Sequence, residues 1–254
     1  MKQRLDVAML DRQLVESREK AQALILSGKV TVDGQKAAKP GHSVTEAARI
    51  EITAPLKYVS RGGLKLEAAL AHFAIDPTGK VCLDVGTSTG GFTDCLLQHG
   101  AVRVYAVDTG AGQIAWKLRT DSRIVLKERL NARYLTASDI GEPVQLIACD
   151  VSFISVTLLI PALAPLLAPG GDWIILVKPQ FEVGRDLVGK GGIVRDPEAH
   201  QLARDKVISC LAAADFSVEL MDSPILGAEG NREFLLRGRR DMGTKSTTEP
   251  EPEA

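Results

Sequence analysis

From about residue 60 to residue 240, short apolar runs alternate with amphipathic stretches. This alternation constrains the fold more than any other feature of the chain. Val81-Cys-Leu-Asp-Val85, Val102-Arg-Val-Tyr-Ala-Val107, Leu146-Ile-Ala-Cys149 and Trp173-Ile-Ile-Leu-Val177 are bounded by polar or glycine-containing segments, and a further strand ends near Leu126. Runs this short and this apolar read as strands buried in a parallel sheet. The stretches from Phe92 to His99 and from His200 to Ala214 have helical spacing. Strands separated by helices predict an α/β domain with a doubly wound, Rossmann-like sheet. Ligands in such sheets bind outside the carboxyl ends of the strands, so chemistry is to be sought there.

The turn Asp84-Val-Gly-Thr-Ser-Thr-Gly-Gly-Phe-Thr93 follows the first of these strands. Its glycines let a ligand approach the backbone, and the following helix offers unpaired N–H groups. The spacing is not G-x-G-x-x-G, and no Lys-Ser/Thr closes a phosphate-binding loop, which excludes an NAD-dependent oxidoreductase. Asp84 would repel a phosphate, yet it suits the cationic methionine part of S-adenosylmethionine. Asp108 ends the next strand, where a carboxylate can accept from both hydroxyls of a ribose. The combination predicts S-adenosylmethionine as cofactor, held by Asp84, Gly86, Ser88, Gly90, Gly91, Phe92 and Asp108. Asn131 stands equally as an adenine neighbour or as a polar loop residue. Phe92 and Phe153 can stack on a base or pack in the core.

Four charged residues lie at element boundaries. Lys65 follows the start of a helix expected to be capped by Ser60, and Asp150 and Lys178 each end a strand. Glu233 precedes Phe234-Leu-Leu236, expected to open an edge strand. Each alone reads as a surface charge or a structural ion pair. Together they offer a mechanism. A ribose 2′-hydroxyl is a poor nucleophile. A lysine whose ammonium form is disfavoured by a second lysine and by partial burial gives up its proton more readily. It can then accept the hydroxyl proton while the oxygen attacks a sulfonium methyl, with assistance on the order of 10²–10⁴-fold. Asp150 and Glu233 would orient and charge-balance the lysines. The glycine-rich segment from Gln180 to Arg195, beside Lys178, stands equally as a mobile loop that closes over RNA or cofactor and as a plain long surface loop.

The first 53 residues read as a separate small α/β module. Asp6 to Leu10 has helical spacing, and Ser17 can cap a second helix carrying Ala21, Leu24 and Ile25. Gly28 sits at a C-terminal cap, Val30-Thr-Val32 is a short strand, Asp33-Gly34 a tight turn, and a strand is expected within Ala48 to Thr53. Residues 1–65 hold 12 Lys and Arg against 7 Asp and Glu, whereas residues 66–240 hold 18 against 21. The net charge of -1 therefore hides a basic module on a near-neutral body. Arg4, Arg12, Arg18, Lys20 and Lys29, with Arg61 beyond the module, are the candidates to hold phosphates of a folded RNA. Residues 54–60, around Pro55, read as a linker, residues 61–240 as the large domain, and residues 241–254 as a disordered tail.

Several classes are disfavoured. The longest apolar run, Val151 to Ala168, is broken by Ser152, Ser155, Thr157 and two prolines, so a spanning helix is not expected. The charged stretch from Met1 to Asp11 lacks the apolar core of a signal peptide. A pore-forming toxin, or any membrane partner, is therefore not expected. The four cysteines are far apart and form no C-x-x-C pair, so no metal site or disulfide is expected and a reducing cytoplasm is the default.

Two resemblances sharpen this reading. Ser17-Arg-Glu-Lys-Ala21, the helix ending near Ser27-Gly28, and Val30-Thr-Val-Asp-Gly34 resemble an S4-type RNA-binding domain. The whole chain to about residue 238 resembles the TlyA family, known as haemolysin A and as rRNA 2′-O-methyltransferases. The matching stretches are V-S-R-G-G-L-K-L (59–66), L-D-V-G-T-S-T-G-G-F-T-D (83–94), C-D-V-S-F-I-S (149–155), L-V-K-P-Q-F-E-V-G (176–184), G-K-G-G-I-V-R-D-P (189–197) and G-N-R-E-F-L (230–235). The resemblance implies an S4 domain joined to an FtsJ-like methyltransferase domain. It implies a Lys-Asp-Lys-Glu tetrad at Lys65, Asp150, Lys178 and Glu233, S-adenosylmethionine as cofactor, ribosomal RNA or ribosomal subunits as partner, and cytidine ribose as acceptor. One departure is Ala111 in Asp108-Thr-Gly-Ala-Gly-Gln113, where the family carries a tyrosine. A non-catalytic RNA-binding ribosome factor and a haemolysin are the competing expectations, and no oligomeric state follows.

Overall fold

The computed structural model describes residues 2–52, 57–227 and 229–240. Part of the expected linker, and all of the expected tail at 241–254, lie outside the described residues. The chain divides into two compact units, Met1–Leu56 and Lys57–Ala254.

The first unit contains β1 (Lys2–Arg4), α1 (Leu5–Asp11), α2 (Arg18–Leu26), β2 (Val30–Val32), β3 (Gln35–Lys36), β4 (Ser43–Thr45) and β5 (Ile50–Ile52). Ser17 caps α2, accepting from the Lys20 N–H at 3.2 Å. Asp33 and Gly34 both have positive φ, 51° and 80°, the conformation a two-residue hairpin turn needs to join β2 to β3. Strand β5 pairs antiparallel on the other side of β2, and β1 pairs with β4. Leu5, Met9, Ala21, Ile25, Val30 and Val44 close the small core. Asp6 is also fully buried. A hydrogen bond from Arg4, with others from Gln22 and Arg18, holds its carboxyl well below the ordinary range despite the burial.

The second unit contains α3 (Gly62–His72), β6 (Val81–Val85), α4 (Gly91–Gln98), β7 (Arg103–Val107), α5 (Trp116–Arg119), β8 (Ile124–Lys127), α6 (Ala137–Ile140), β9 (Val144–Cys149), α7 (Ile160–Leu163), β10 (Leu167–Val177), α8 (Pro179–Glu182), α9 (Pro197–Ala212), β11 (Ser217–Asp222) and β12 (Phe234–Arg239). The seven strands form one sheet in the order β11-β12-β10-β9-β6-β7-β8. The five from β10 to β8 are parallel, and β12 runs antiparallel to both neighbours. The sheet is the doubly wound α/β arrangement expected from the alternation. Strand β12 is not an edge strand. Its residues Phe234, Leu235 and Leu236 are all buried, because β11 covers the side that the sequence reading left open.

Side-chain alternation divides the apolar residues between two cores. Leu83, Val85, Ile147, Cys149, Trp173, Ile175 and Val177 pack on one face of the sheet with α7 and α9. Cys82, Leu146, Ala148, Ile174 and Leu176 pack on the other with α3 and α4. Strands buried on both faces cannot alternate with polar residues, so they read as continuous apolar runs. Among the described residues no helix is long and apolar enough to cross a membrane.

From β6 the chain proceeds outward to β7 and β8, then returns to place β9 on the other side of β6. The carboxyl ends of β6 and β9 therefore flank a topological switch point, where doubly wound sheets open a crevice for ligands.

Candidate active site

Two adjoining cavities open at this switch point. The larger, about 570 Å³, is walled by Gly86 and Ser88 after β6, Asp108 and Gly110 after β7, Asn131 after β8, and residues 150–154 after β9. The smaller, about 290 Å³, is walled by Arg61, Gly62, Lys65, Gly91, Phe92, Asp150, Ser152, Lys178 and Glu233. Gly86, Ser88, Asp150 and Ser152 face both. A cofactor-sized space thus adjoins a smaller polar one.

The glycines are required by close backbone approach. At Gly86 φ is +84°, and a Cβ would lie 2.4 Å from the Asp150 carbonyl oxygen. A Cβ on Gly91 would lie 2.1 Å from the Ser60 hydroxyl. Gly90, at φ 96°, is itself the left-handed residue that starts α4. Ser60 does not cap α3. Arg61 occupies that position without a side-chain cap, because the Ser60 hydroxyl is turned toward Gly91.

Asp108 lies on the wall of the larger cavity, and its carboxylate accepts from the N–H groups of Ser88 (2.7 Å) and Gly110 (2.6 Å). Each oxygen keeps a lone pair for a hydroxyl donor. Asn131 shares the wall, its side chain accepting from the Arg133 N–H at 3.0 Å. This chamber fits S-adenosylmethionine: its volume lies within the usual range for small-ligand sites, and its carboxylate is pre-oriented for a ribose diol.

Asp84 has a different place from the one its sequence position suggested. It is fully buried behind the turn and lies on neither cavity wall. One oxygen accepts from the Thr93 N–H (3.0 Å) and hydroxyl (2.5 Å), fixing the start of α4, while the other has no hydrogen-bond partner. Burial, with the charges of Asp150 and Asp108 adding to it and the Thr93 hydrogen bonds opposing, pushes its carboxyl up to about 7.

The four charged candidates converge in two pairs. Lys65 Nζ meets Glu233 at 2.5 Å, with side-chain exposures of 10% and 3%. Lys178 Nζ meets Asp150 at 2.6 Å and donates to the Ser152 hydroxyl at 2.8 Å. Residues drawn from α3, the end of β9, the end of β10 and the segment before β12 thus share one cavity.

Sequence reading missed the supports of these pairs. Glu182, buried on α8, accepts from the Val156 N–H at 2.8 Å and the Ser155 hydroxyl at 2.5 Å, with Lys206 at 3.4 Å. It ties the segment that leaves Asp150 to the one that leaves Lys178. Asn231, also buried, accepts from the Val194 N–H (2.9 Å) and donates to the Gly192 carbonyl (2.8 Å). The glycine-rich segment is fastened there next to Glu233. The one sequence signal for either residue is its place within a stretch that resembles the family, 176–184 for Glu182 and 230–235 for Asn231.

Phe153 is 92% exposed with φ +66° on the wall of the larger cavity, whereas Phe92 is buried in the core and borders the smaller cavity, its ring edge near Gly62. In the first unit, Lys20 and Lys29 are exposed. Arg4 and Arg18 pair with Asp6 at 3.0 and 2.9 Å. Arg12 donates to the carbonyls of Ala48, Thr45 and Glu46, so its guanidinium closes the small fold rather than standing free for a phosphate.

Comparison with known proteins adds to this geometry. Residues 58–240 match the FtsJ-like methyltransferase family, and residues 3–50 match the S4 domain. The chain is 44% identical to the 16S/23S rRNA (cytidine-2′-O)-methyltransferase TlyA of Mycobacterium tuberculosis, over 92% of this chain and 88% of that one. It is likewise 44% identical to Hemolysin A of Brachyspira hyodysenteriae, over 91% of this chain and 98% of that one. Among solved structures it is similar to a hemolysin candidate from Streptococcus thermophilus. The TM-score is 0.73, with 42% identity over 94% of this chain and 89% of that one.

Proposed function

This chain belongs to the TlyA family, in which an S4 domain accompanies an FtsJ-like methyltransferase domain, and on that premise we propose that it transfers a methyl group from S-adenosylmethionine to the 2′-hydroxyl of cytidine in ribosomal RNA. When bound, the cofactor supplies an electrophilic methyl on a sulfonium sulfur. The observation that carries this reading is the meeting of Lys65, Asp150, Lys178 and Glu233 on the wall of a cavity that adjoins a cofactor-sized one.

In this reading Asp108 accepts from the cofactor ribose, Gly86 lets the ligand lie against the backbone, and Asn131 borders the adenine. Lys178 Nζ receives the proton of the attacking hydroxyl. Asp150 and Ser152 fix that nitrogen in place. Lys65 lies on the wall of the same cavity. Glu233 orients Lys65. In the first unit, exposed Lys20 and Lys29 are the groups best placed to meet RNA phosphates, and ribosomal subunits are the form in which that RNA is met.

The test is incorporation of labelled methyl from S-adenosylmethionine into purified 16S and 23S rRNA and into ribosomal subunits. Wild type incorporates label. Lys178→Ala incorporates about 10²-fold less or worse. Equal incorporation by the two proteins removes Lys178 from the chemistry.

A further inference from the structure

Three of the eleven aromatic side chains are exposed: Trp116 at 75%, Tyr134 at 70% and Phe153 at 92%. All three lie on segments that leave the carboxyl ends of parallel strands of the one sheet: β7 and its neighbour β8, and β9 on the far side of β6. Single exposed apolar residues are ordinary on a protein surface. Their confinement to one edge of one sheet is not, in a chain with so few aromatics. That edge carries the two cavities.

Phe153 belongs to the cavity wall already described. Trp116 and Tyr134 do not line either cavity, yet each is close to it along the chain. Trp116 follows Ala115, whose N–H donates to the Thr89 carbonyl at 3.1 Å, and Gln113 and Thr89 are wall residues. Tyr134 follows Asn131 and Ala132, both on the wall of the larger cavity. The two segments are linked: Arg119 of α5 pairs with Glu128 at 2.5 Å, and Glu128 accepts from the Gly112 N–H at 2.6 Å.

The cations near these rings divide into matched and unmatched ones. Lys117 is matched by Asp94 and Arg119 by Glu128. The exposed side chains of Arg129 and Arg133 form no ion pair among the described residues. Flat aromatic faces interleaved with free guanidinium groups are what unpaired nucleotides require, because every base has a π-face and every nucleotide a phosphate.

We propose that Trp116 and Tyr134 form a stacking rim for unpaired bases that flank the target nucleotide, with Arg129 and Arg133 on the adjoining phosphates. This rests on the reading of the chain as an RNA methyltransferase and adds where the strand outside the reacting nucleotide lies.

Tryptophan emission tests it in the full chain. Of the two tryptophans, Trp173 is fully buried, so a neutral collisional quencher such as acrylamide reports on Trp116. A short single-stranded oligocytidylate is the probe, its affinity measured by anisotropy of an end label. Adding it is expected to shield Trp116 from acrylamide. Trp116→Ala and Tyr134→Ala are each expected to weaken the affinity about 5- to 100-fold, with most of the loss recovered in Trp116→Phe and Tyr134→Phe. Both sites are exposed, and unchanged melting temperatures establish that the variants fold. Unchanged RNA affinity in both alanine variants overturns the proposal. So does shielding that appears without RNA and grows with protein concentration, which assigns the rings to contact between copies. Methyl transfer to rRNA by wild type, run in parallel, separates the two readings. Transfer with no effect of the rings removes only the rim, while shielding by RNA without transfer removes only the enzymatic reading.

Discussion

The Lys65–Glu233 pair makes the most decisive prediction, because stability and activity are expected to part there. The two side chains are nearly enclosed and 2.5 Å apart. Glu233→Gln leaves the Lys65 ammonium in that enclosure without a counter-charge, and Lys65→Met leaves the carboxylate alone. Removing one partner of a buried pair costs about 3–5 kcal/mol. Lys65 also touches the smaller cavity, so water reaches it and places the cost toward the lower end. For a domain of this size each kcal/mol lowers the melting temperature by roughly 2–4 °C. The single variants are therefore expected to melt roughly 6–12 °C below wild type. Replacing both partners, as Lys65→Met with Glu233→Leu, removes the charges together and is expected to recover most of that loss, since well-packed apolar replacements of buried pairs are often neutral or better. Methyl transfer stays lost in all three variants. The assay is thermal unfolding by circular dichroism without cofactor, beside incorporation of labelled methyl. Single variants that melt with wild type, or a double variant that melts no higher than the singles, would refute the reasoning about burial. A double variant that still transfers methyl would refute the role given to the pair.

Three further outcomes follow from the same geometry. The Asp84 carboxyl is at about 7 when folded against an ordinary 3.8, so the folded chain holds a proton that the unfolded chain releases, and stability is lost as pH rises from about 4 to about 7. Asp84→Asn lacks this penalty. Its stability relative to wild type is expected to climb across that window and level above it, by on the order of a few kcal/mol, and a gap that does not vary with pH contradicts the account. Gly86→Ala places a Cβ 2.4 Å from the Asp150 carbonyl at a φ of +84°. It is expected to abolish S-adenosylmethionine binding in calorimetry and lower the melting temperature, and unaltered binding would sink the close-approach argument. Glu182→Gln keeps an acceptor for the Val156 N–H but loses the charge facing Lys206. Its kcat is expected to fall about 10- to 100-fold with KM for the cofactor unchanged, and Lys206→Met to fall in the same direction. An unchanged kcat would leave Glu182 with a structural role alone.

The parts of this molecule that the sequence made legible are those written in local chemistry. The strand Val81–Val85 is readable because a doubly covered strand is apolar on both faces, here with Asp84 as its one polar residue. The turn at Gly86 was readable because only glycine tolerates that φ so near another backbone. The hairpin at Asp33-Gly34 and the Ser17 cap were likewise local. The pairing of Lys65 with Glu233 spans 168 positions; spacing carries no trace of it, and only a mechanism or a family resemblance brings those residues together. The short strands β1, β3 and β4 are not legible because Lys2–Arg4, Gln35–Lys36 and Ser43–Thr45 hold a single apolar residue, Val44, among them. β12 was misplaced at the edge because nothing in Phe234–Arg239 announces that β11 will cover it. Asp84 was assigned to the ligand because it ends a strand beside the glycine turn, but whether a carboxylate faces the cavity or the helix behind it depends on packing. Arg12 looked free because its acceptors are carbonyls at positions 45, 46 and 48. Glu182 and Asn231 were passed over because a lone buried acid or amide is indistinguishable in sequence from a surface one.

The central claim is that two lysine–carboxylate pairs at the carboxyl edge of the sheet move a methyl group onto a ribose oxygen. Nuclease digestion of rRNA methylated by the purified protein, followed by mass spectrometry of the nucleosides, tests it most directly. The account predicts 2′-O-methylcytidine as the labelled product with wild type and none with Lys178→Ala. A methyl group on a base rather than on the ribose, or the same product from both proteins, would contradict it.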